Sequence, residues 1–219
     1  RGTDWLELSA NQCTLYYTSE DTTLRRYNVC TRSALPDFAS GLTAPYCYAL
    51  RLRPNGELMV ACQEAVHRLS AQGANLRTYT RQSIGETDAA GLFALNLNDG
   101  SIAWSFHTQA DCAGDRQKRL PQCARLFGLS AAPSVIGDYV VAGGLDGWLY
   151  VLDKKTGKQV WKYDTAQTYQ GINGVEGNGG SIDAASIIAT HGLLIVNSGY
   201  GMFGQAPGNV MIAFRPRKS

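Results

Sequence analysis

A motif written three times constrains this chain more than any other feature. It is a glycine, an apolar strand ending in Ala-Leu-Asn or Val-Leu-Asp, a turn, and a tryptophan. It reads GLFALNLNDGSIAW from Gly91 to Trp104 and GWLYVLDKKTGKQVW from Gly147 to Trp161. A third copy, GNVMIAF from Gly208 to Phe214, stops before its tryptophan. A repeat recurring about every 60 residues, made of short strands and glycine turns, marks β-propeller blades. A blade buries its faces only against neighbouring blades, so blade number decides whether an axial channel exists.

The rest of the chain agrees with an all-β reading. Runs of alternating apolar and polar residues lie between turn residues, and none of them extends into a convincing helix. The first 80 residues give two sets of four strands. The later residues give two, four and three, which leaves at least one blade short. The predicted fold is therefore an irregular propeller of about four to five blades. Residues 81–91 read as a linker, and the repeat grammar changes across them. Two pieces are expected, 1–85 and 86–219, together one domain: a fusion of blades from two different propellers, with an ordinary degenerate propeller as the alternative. An arc with a missing strand exposes a sheet edge, which predicts a homodimer. The competing solution is a monomer in which Trp5–Leu8 clasps the last blade.

Six cysteines point to the compartment. Cys13 and Cys30 flank one hairpin, Cys47 and Cys62 flank another, and Cys112 and Cys123 close a short loop. Three local pairs, with no Cys-x-x-Cys, read as disulfides in an oxidising compartment, periplasmic or secreted. The net charge of +2 and the scattered Lys and Arg residues provide no nucleic-acid footprint. No apolar run reaches the roughly 18 residues of a membrane helix. The expected partner besides a second copy is a small-molecule substrate.

From Gly91 onward the chain resembles the pyrroloquinoline quinone (PQQ) dehydrogenase-like propellers, especially their polyvinyl-alcohol-dehydrogenase branch. The carrying residues are the two tryptophan repeats, the Cys112–Cys123 loop followed by LSAAPSVI, NGVEGNGGSIDAA from Asn173 to Ala185, and VNSGYGMFGQAPGNVMIAF from Val196 to Phe214. The resemblance implies an eight-bladed ring holding the quinone and a calcium ion. Residues 1–80 resemble NHL and SMP-30/gluconolactonase-like blades through ALRLRPNGELMVA at Ala49 to Ala61. That likeness implies calcium-dependent lactonases and phosphotriesterases. The part-ring, with no adjacent Cys-Cys pair, argues against PQQ as the cofactor.

Loops on one face of such blades collect Glu20, Asp21, Glu64, Asp111, Asp115, Asp146, Glu176, Asn178 and Asp183. Converging oxygen ligands suit a divalent metal, calcium above all. The densest group is Asn173, Glu176, Asn178 and Asp183, the expected metal ligands. Asp183 also carries the expected catalytic role. His107, at a strand end, is the histidine to test as general base. Asp146 reads as a turn residue, and Trp104 and Trp161 as packing between blades. The leading expectation is a metal-assisted hydrolase of small activated esters, lactones or phosphotriesters. A PQQ-dependent oxidoreductase is the alternative, and a non-catalytic binding propeller the third reading.

Overall fold

The structure is a computed structural model that describes residues 3, 5–43, 46–85, 91–184 and 186–215. The chain forms two compact units, Arg1–Thr87 and Asp88–Ser219. Residues 86–90, where the expected boundary falls, lie outside the described residues, as do Arg217 and Lys218 of the basic C-terminal run.

In the first unit, β1 (Leu6–Leu8), β2 (Thr14–Tyr17), β3 (Leu24–Asn28) and β4 (Ser33–Ala39) form a four-stranded antiparallel meander. A second meander holds β5 (Cys47–Leu52), β6 (Leu58–Cys62), β7 (Ala65–Leu69) and β8 (Asn75–Thr80). Each is a propeller blade. Inward-facing Leu24, Leu50, Leu58, Val60 and Leu69 are fully buried in one cluster with Phe38 and Cys47. The strands alternate as predicted: β7 buries Ala65, His67 and Leu69 and turns Val66 and Arg68 outward. Pro36 sits in β4, an edge strand, where its missing N–H breaks no ladder. β1 pairs with β2 and forms an edge of its own sheet.

The three expected disulfides form, 13–30, 47–62 and 112–123. Their geometry differs in detail from the simple hairpin expectation. Thr14 pairs with Asn28, and Val29 N donates to Cys13 O at 2.9 Å. Cys13 therefore lies beside Val29, and its bond to Cys30 is diagonal. Cys47 does lie opposite Cys62, because an irregularity between Cys47 and Ala49 shifts the register by one.

The second unit begins with the pair β9 (Leu92–Leu95) and β10 (Ile102–Phe106). A one-turn helix, α1 (Arg116–Arg119), follows inside the Cys112–Cys123 loop, where no helix was expected. The four-stranded blade is β11 (Ser134–Ile136), β12 (Tyr139–Gly143), β13 (Trp148–Asp153) and β14 (Gln159–Asp164). A small hairpin of β15 (Thr168–Gln170) and β16 (Glu176–Asn178) then stands where the sequence reads as a glycine-rich loop. The last sheet is β17 (Ile187–Thr190), β18 (Leu193–Ser198) and β19 (Val210–Phe214).

The blades of this unit stack through two apolar layers. Leu92, Trp104 and Phe106 pack on Val140, Tyr150 and Leu152. Val141 and Leu149 pack on Ile182, Ile187 and Val196. The tryptophan of the repeat locks the first layer. Trp104 Nε1 donates to Lys154 O at 2.9 Å, and its ring covers the β13–β14 turn at Gly157. Asp153 organises that turn by accepting from the backbone of Lys155 and Thr156 and from the Thr156 hydroxyl. Those bonds hold its carboxyl below the usual range.

Gly157 has φ +70°, and a Cβ there would meet Trp104 Cδ2 at 2.6 Å. Gly157→Ala should therefore cost roughly 2–4 kcal/mol, from left-handed backbone strain plus the clash. Gly174→Ala, also left-handed but in open space, should cost only about 1 kcal/mol. Urea unfolding of the two variants checks this, and equal losses would remove the tryptophan lock from the explanation.

Candidate functional site

The Cys112–Cys123 loop carries a guanidinium into the interior. Leu120 and Cys123 are buried against Ala166 and anchor the loop. The single turn of α1 then directs Arg116 inward, and only 4% of the residue remains exposed. Its Nη2 donates to Asp146 O at 2.7 Å and lies 3.5 Å from Asp146 Oδ2. Its Nη1 is 2.6 Å from Asp164 Oδ2, and its Nε donates to Asp111 O at 3.2 Å. Three carboxylates thus surround one buried cation. Arg119 adds a second cation at Asp164 Oδ2, 2.9 Å away, and holds Asp115 at 3.1 Å.

Asp146 does occupy a turn, as its sequence context suggests, and accepts from Trp148 N at 3.3 Å. It is also 1% exposed. Burial pushes its carboxyl up to about 6, against the attraction of Arg116. Trp148 links this buried group to the surface. Its Nε1 donates to Asp111 Oδ2 at 3.2 Å, and both Arg116, at 4.7 Å, and Lys162, at 3.9 Å, lie over its ring. Cations over an indole face are attracted by the ring quadrupole.

Beside Trp148 lies a cleft of about 340 Å³. Its walls include His107, Thr108, Gln109, Gln159, Lys162 and Trp148. Tyr150 also faces it, its phenol pushed up by burial. The Thr108 hydroxyl is buried and has no hydrogen-bond partner among the described residues. An orphan buried hydroxyl is costly, and a ligand or water in the cleft would satisfy it.

The predicted site residues divide between two places. His107 is in the cleft, its ring edge-on to Phe93 at 5.4 Å. Asn173, Glu176 and Asn178 belong to the β15–β16 hairpin and are exposed. Asn173 Oδ1 accepts from Val175 N, Glu176 Oε2 accepts from Gln170 Nε2, and Asn178 Oδ1 accepts from Thr168 Oγ1. Asp183 holds a turn, accepting from Ala184 N at 2.7 Å and Gln205 Nε2 at 2.9 Å. Each of these side chains accepts at least one hydrogen bond, as Asn and Asp in loops commonly do. Among the described residues no group of three or more His, Cys, Asp or Glu side chains is placed to hold a metal ion. Asn173, Glu176, Asn178 and Asp183 are thus not assembled into such a group. Asp111, Asp115 and Asp146 do converge with Asp164, but arginine occupies the position between them. Arg116, Asp164, Trp148 and Lys162 were not singled out from sequence. The usable signal was a run of basic residues inside a disulfide loop.

A protonated Asp146 is favoured in the fold relative to the unfolded chain, whose carboxyl keeps its ordinary value near 3.8. The sign follows: this group's contribution to stability is complete below about pH 4, declines as pH rises, and is lost by about pH 6. Asp146→Asn should remove that decline. Urea midpoints at pH 4, 5, 6 and 7 check it, and identical pH slopes for both proteins would contradict it.

Comparison with known proteins completes the description. A family model described as outer membrane protein assembly factor BamB (PQQ_2) matches residues 62–215. A polyvinylalcohol dehydrogenase of Pseudomonas sp is 30% identical over 134 residues, 57% of this chain and 20% of that protein. Another, from Sphingopyxis sp. (strain 113P3), is 32% identical over 136 residues, with the same coverage. The chain thus spans about a fifth of the length of these curated relatives. Among solved structures, the Cps50 (Swd1) β-propeller domain of Myceliophteria thermophila aligns with TM-score 0.62 at 16% identity. It covers 91% of this chain and 64% of that one. The computationally designed Ika8 protein aligns with TM-score 0.51 at 15% identity, covering 94% and 57%. These two likenesses establish the propeller fold alone.

Proposed function

We propose a function from one established premise: the chain belongs to the PQQ_2 family of BamB-type propellers. Within it, the similarity to two polyvinylalcohol dehydrogenases carries the reading. The chain forms part of a quinone-dependent oxidoreductase that acts on hydroxyl-bearing substrates. Two expectations are corrected by those findings. The ester hydrolase, lactonase or phosphotriesterase, is replaced by a dehydrogenase. The exclusion of PQQ is replaced by a quinone as the implied cofactor. The three disulfides require an oxidising compartment outside the cytoplasm. Periplasmic residence or secretion is the finer reading.

The residues of the cleft suit such a cofactor. A planar quinone bearing carboxylates needs an apolar wall, a cation and neutral donors. Trp148 supplies the wall, Lys162 the cation, and Gln109, Gln159 and the orphan Thr108 hydroxyl the donors. Asp111 is no obstacle, because its Oδ2 already accepts from Trp148 Nε1. When bound, an ortho-quinone supplies a two-electron acceptor. This chain's own part is to hold and orient. Lys162, exposed and on a flexible stem, pairs with a carboxylate. Arg116 fixes Trp148 and Asp111 from beneath. His107, in the same wall, accepts the proton of the substrate hydroxyl as carbon–hydrogen oxidation proceeds.

Titration of the chain with PQQ, followed by quenching of tryptophan fluorescence, tests the assignment. Saturable binding should weaken at least about tenfold in Lys162→Ala, because a charge-assisted contact is lost. Absence of saturable binding, or equal binding by that variant, would overturn this placement.

A further inference from the structure

The turn at Arg53–Gly56, inside the stretch ALRLRPNGELMVA, joins β5 to β6. Arg53 N donates to Glu57 O at 2.8 Å, Gly56 N to Arg53 O at 2.9 Å, and Glu57 N to Asn55 Oδ1 at 3.2 Å, so the turn is fixed. Glu57 stands between two guanidiniums. Arg68 takes both of its oxygens, with Nε 2.9 Å from Oε2 and Nη2 2.8 Å from Oε1. Arg53 adds only its Nη1, at the same Oε2. Arg68 alone therefore matches the carboxylate, and Arg53 brings a surplus positive charge. Its Nε and Nη2, which together form one two-donor edge of the guanidinium, have no hydrogen-bond partner among the described residues.

Arg53 lines a pocket of about 640 Å³, within the size range of small-ligand sites. The pocket lies between the β1–β2 turn, the β5–β6 turn and Ala71 of the β7–β8 turn, all within the first unit. Leu8, Leu52 and Pro54 give it an apolar wall, and Thr14 and Tyr16 bring hydroxyls. Glu7 also lines it, but Arg51 Nη1 holds Glu7 Oε2 at 2.9 Å. Both carboxylates of the site are thus matched by an arginine of their own, and Arg53 is left over. We propose that this pocket binds a small carboxylate with an apolar body, the carboxylate on the Nε–Nη2 edge of Arg53 and the body against Leu52 and Pro54. The two N–H groups of that edge are spaced for the two oxygens of a carboxylate. One surplus charge suits a monoanion, whereas the second charge of a phosphate monoester would stand unmatched beside Glu7. The apolar wall is of use only to a ligand with a body to bury. None of these residues belongs to the cleft beside Trp148, so the proposal is independent of the quinone reading.

The test uses the full chain with benzoate, and with benzyl alcohol as its neutral counterpart. The methyl resonances of Leu8 and Leu52 are followed by NMR. Benzoate should shift them saturably, and benzyl alcohol should bind at least about tenfold more weakly, because it forms no charge-assisted pair. Arg53→Gln should weaken benzoate binding by at least about tenfold as well. Glu57 keeps both Arg68 bonds in that variant, so the fold stands. Arg125→Gln removes an exposed charge from the second unit, and Lys162→Ala removes the cation of the cleft. Both should leave the benzoate shifts unchanged. Equal binding of the two probes to the unaltered chain overturns the proposal, since the pocket would then make no use of charge. So does absence of saturation at tens of millimolar benzoate, or equal affinity in Arg53→Gln. Loss of the shifts in Lys162→Ala also overturns it, because benzoate would then be bound in the cleft.

Discussion

One buried cation organises the second unit of this protein. Arg116 stands among Asp111, Asp146 and Asp164 with almost no solvent access. Removing one partner from such a group leaves an uncompensated buried charge, which costs about 3–5 kcal/mol. The cluster therefore behaves as a unit. It ties the disulfide loop to the β12–β13 turn through Asp146 and to the end of β14 through Asp164. Trp148 sits on top of it, and the cleft is built against Trp148. Positioning of the cleft thus runs from a disulfide, through a one-turn helix, to a salt-bridge network and finally to an aromatic wall.

Much of the fold was legible because propeller blades are local. Each strand pairs with its sequence neighbour, so turn chemistry and period-2 alternation specify most of the sheet. The tryptophan repeat also announced its own packing, and Trp104 fulfils it on Gly157. Failures came where local grammar ran out. The β15–β16 hairpin was hidden because Asn and Gly dominate it, and those residues read equally as loop. The helix α1 is a single turn, stabilised by the closed Cys112–Cys123 loop and by burial of Leu120 instead of by periodicity.

The site was less legible for a specific reason. Carboxylates on loops suggest metal ligation when only their number and spacing are visible. Whether a cation or a metal stands among them depends on an arginine carried in from another segment, and Arg116 lies 30 residues from Asp146 in sequence. His107 was recognisable as a strand-end histidine and does line the cleft. Asp183, Glu176, Asn178 and Asn173 were legible by type, and the structure places them in hydrogen bonds of turns and of the β15–β16 hairpin. The proposed oxidoreductase role rests on kinship, since the same fold serves many chemistries.

The proposed function places a quinone in the cleft beside Trp148. A crystal structure of this chain grown with PQQ tests it most directly. The account predicts the quinone against Trp148, with Lys162 Nζ drawn onto a carboxylate and Thr108 Oγ1 donating to the ligand. A quinone bound elsewhere on the chain, with Thr108 still unpartnered and Lys162 still over the indole, would contradict it.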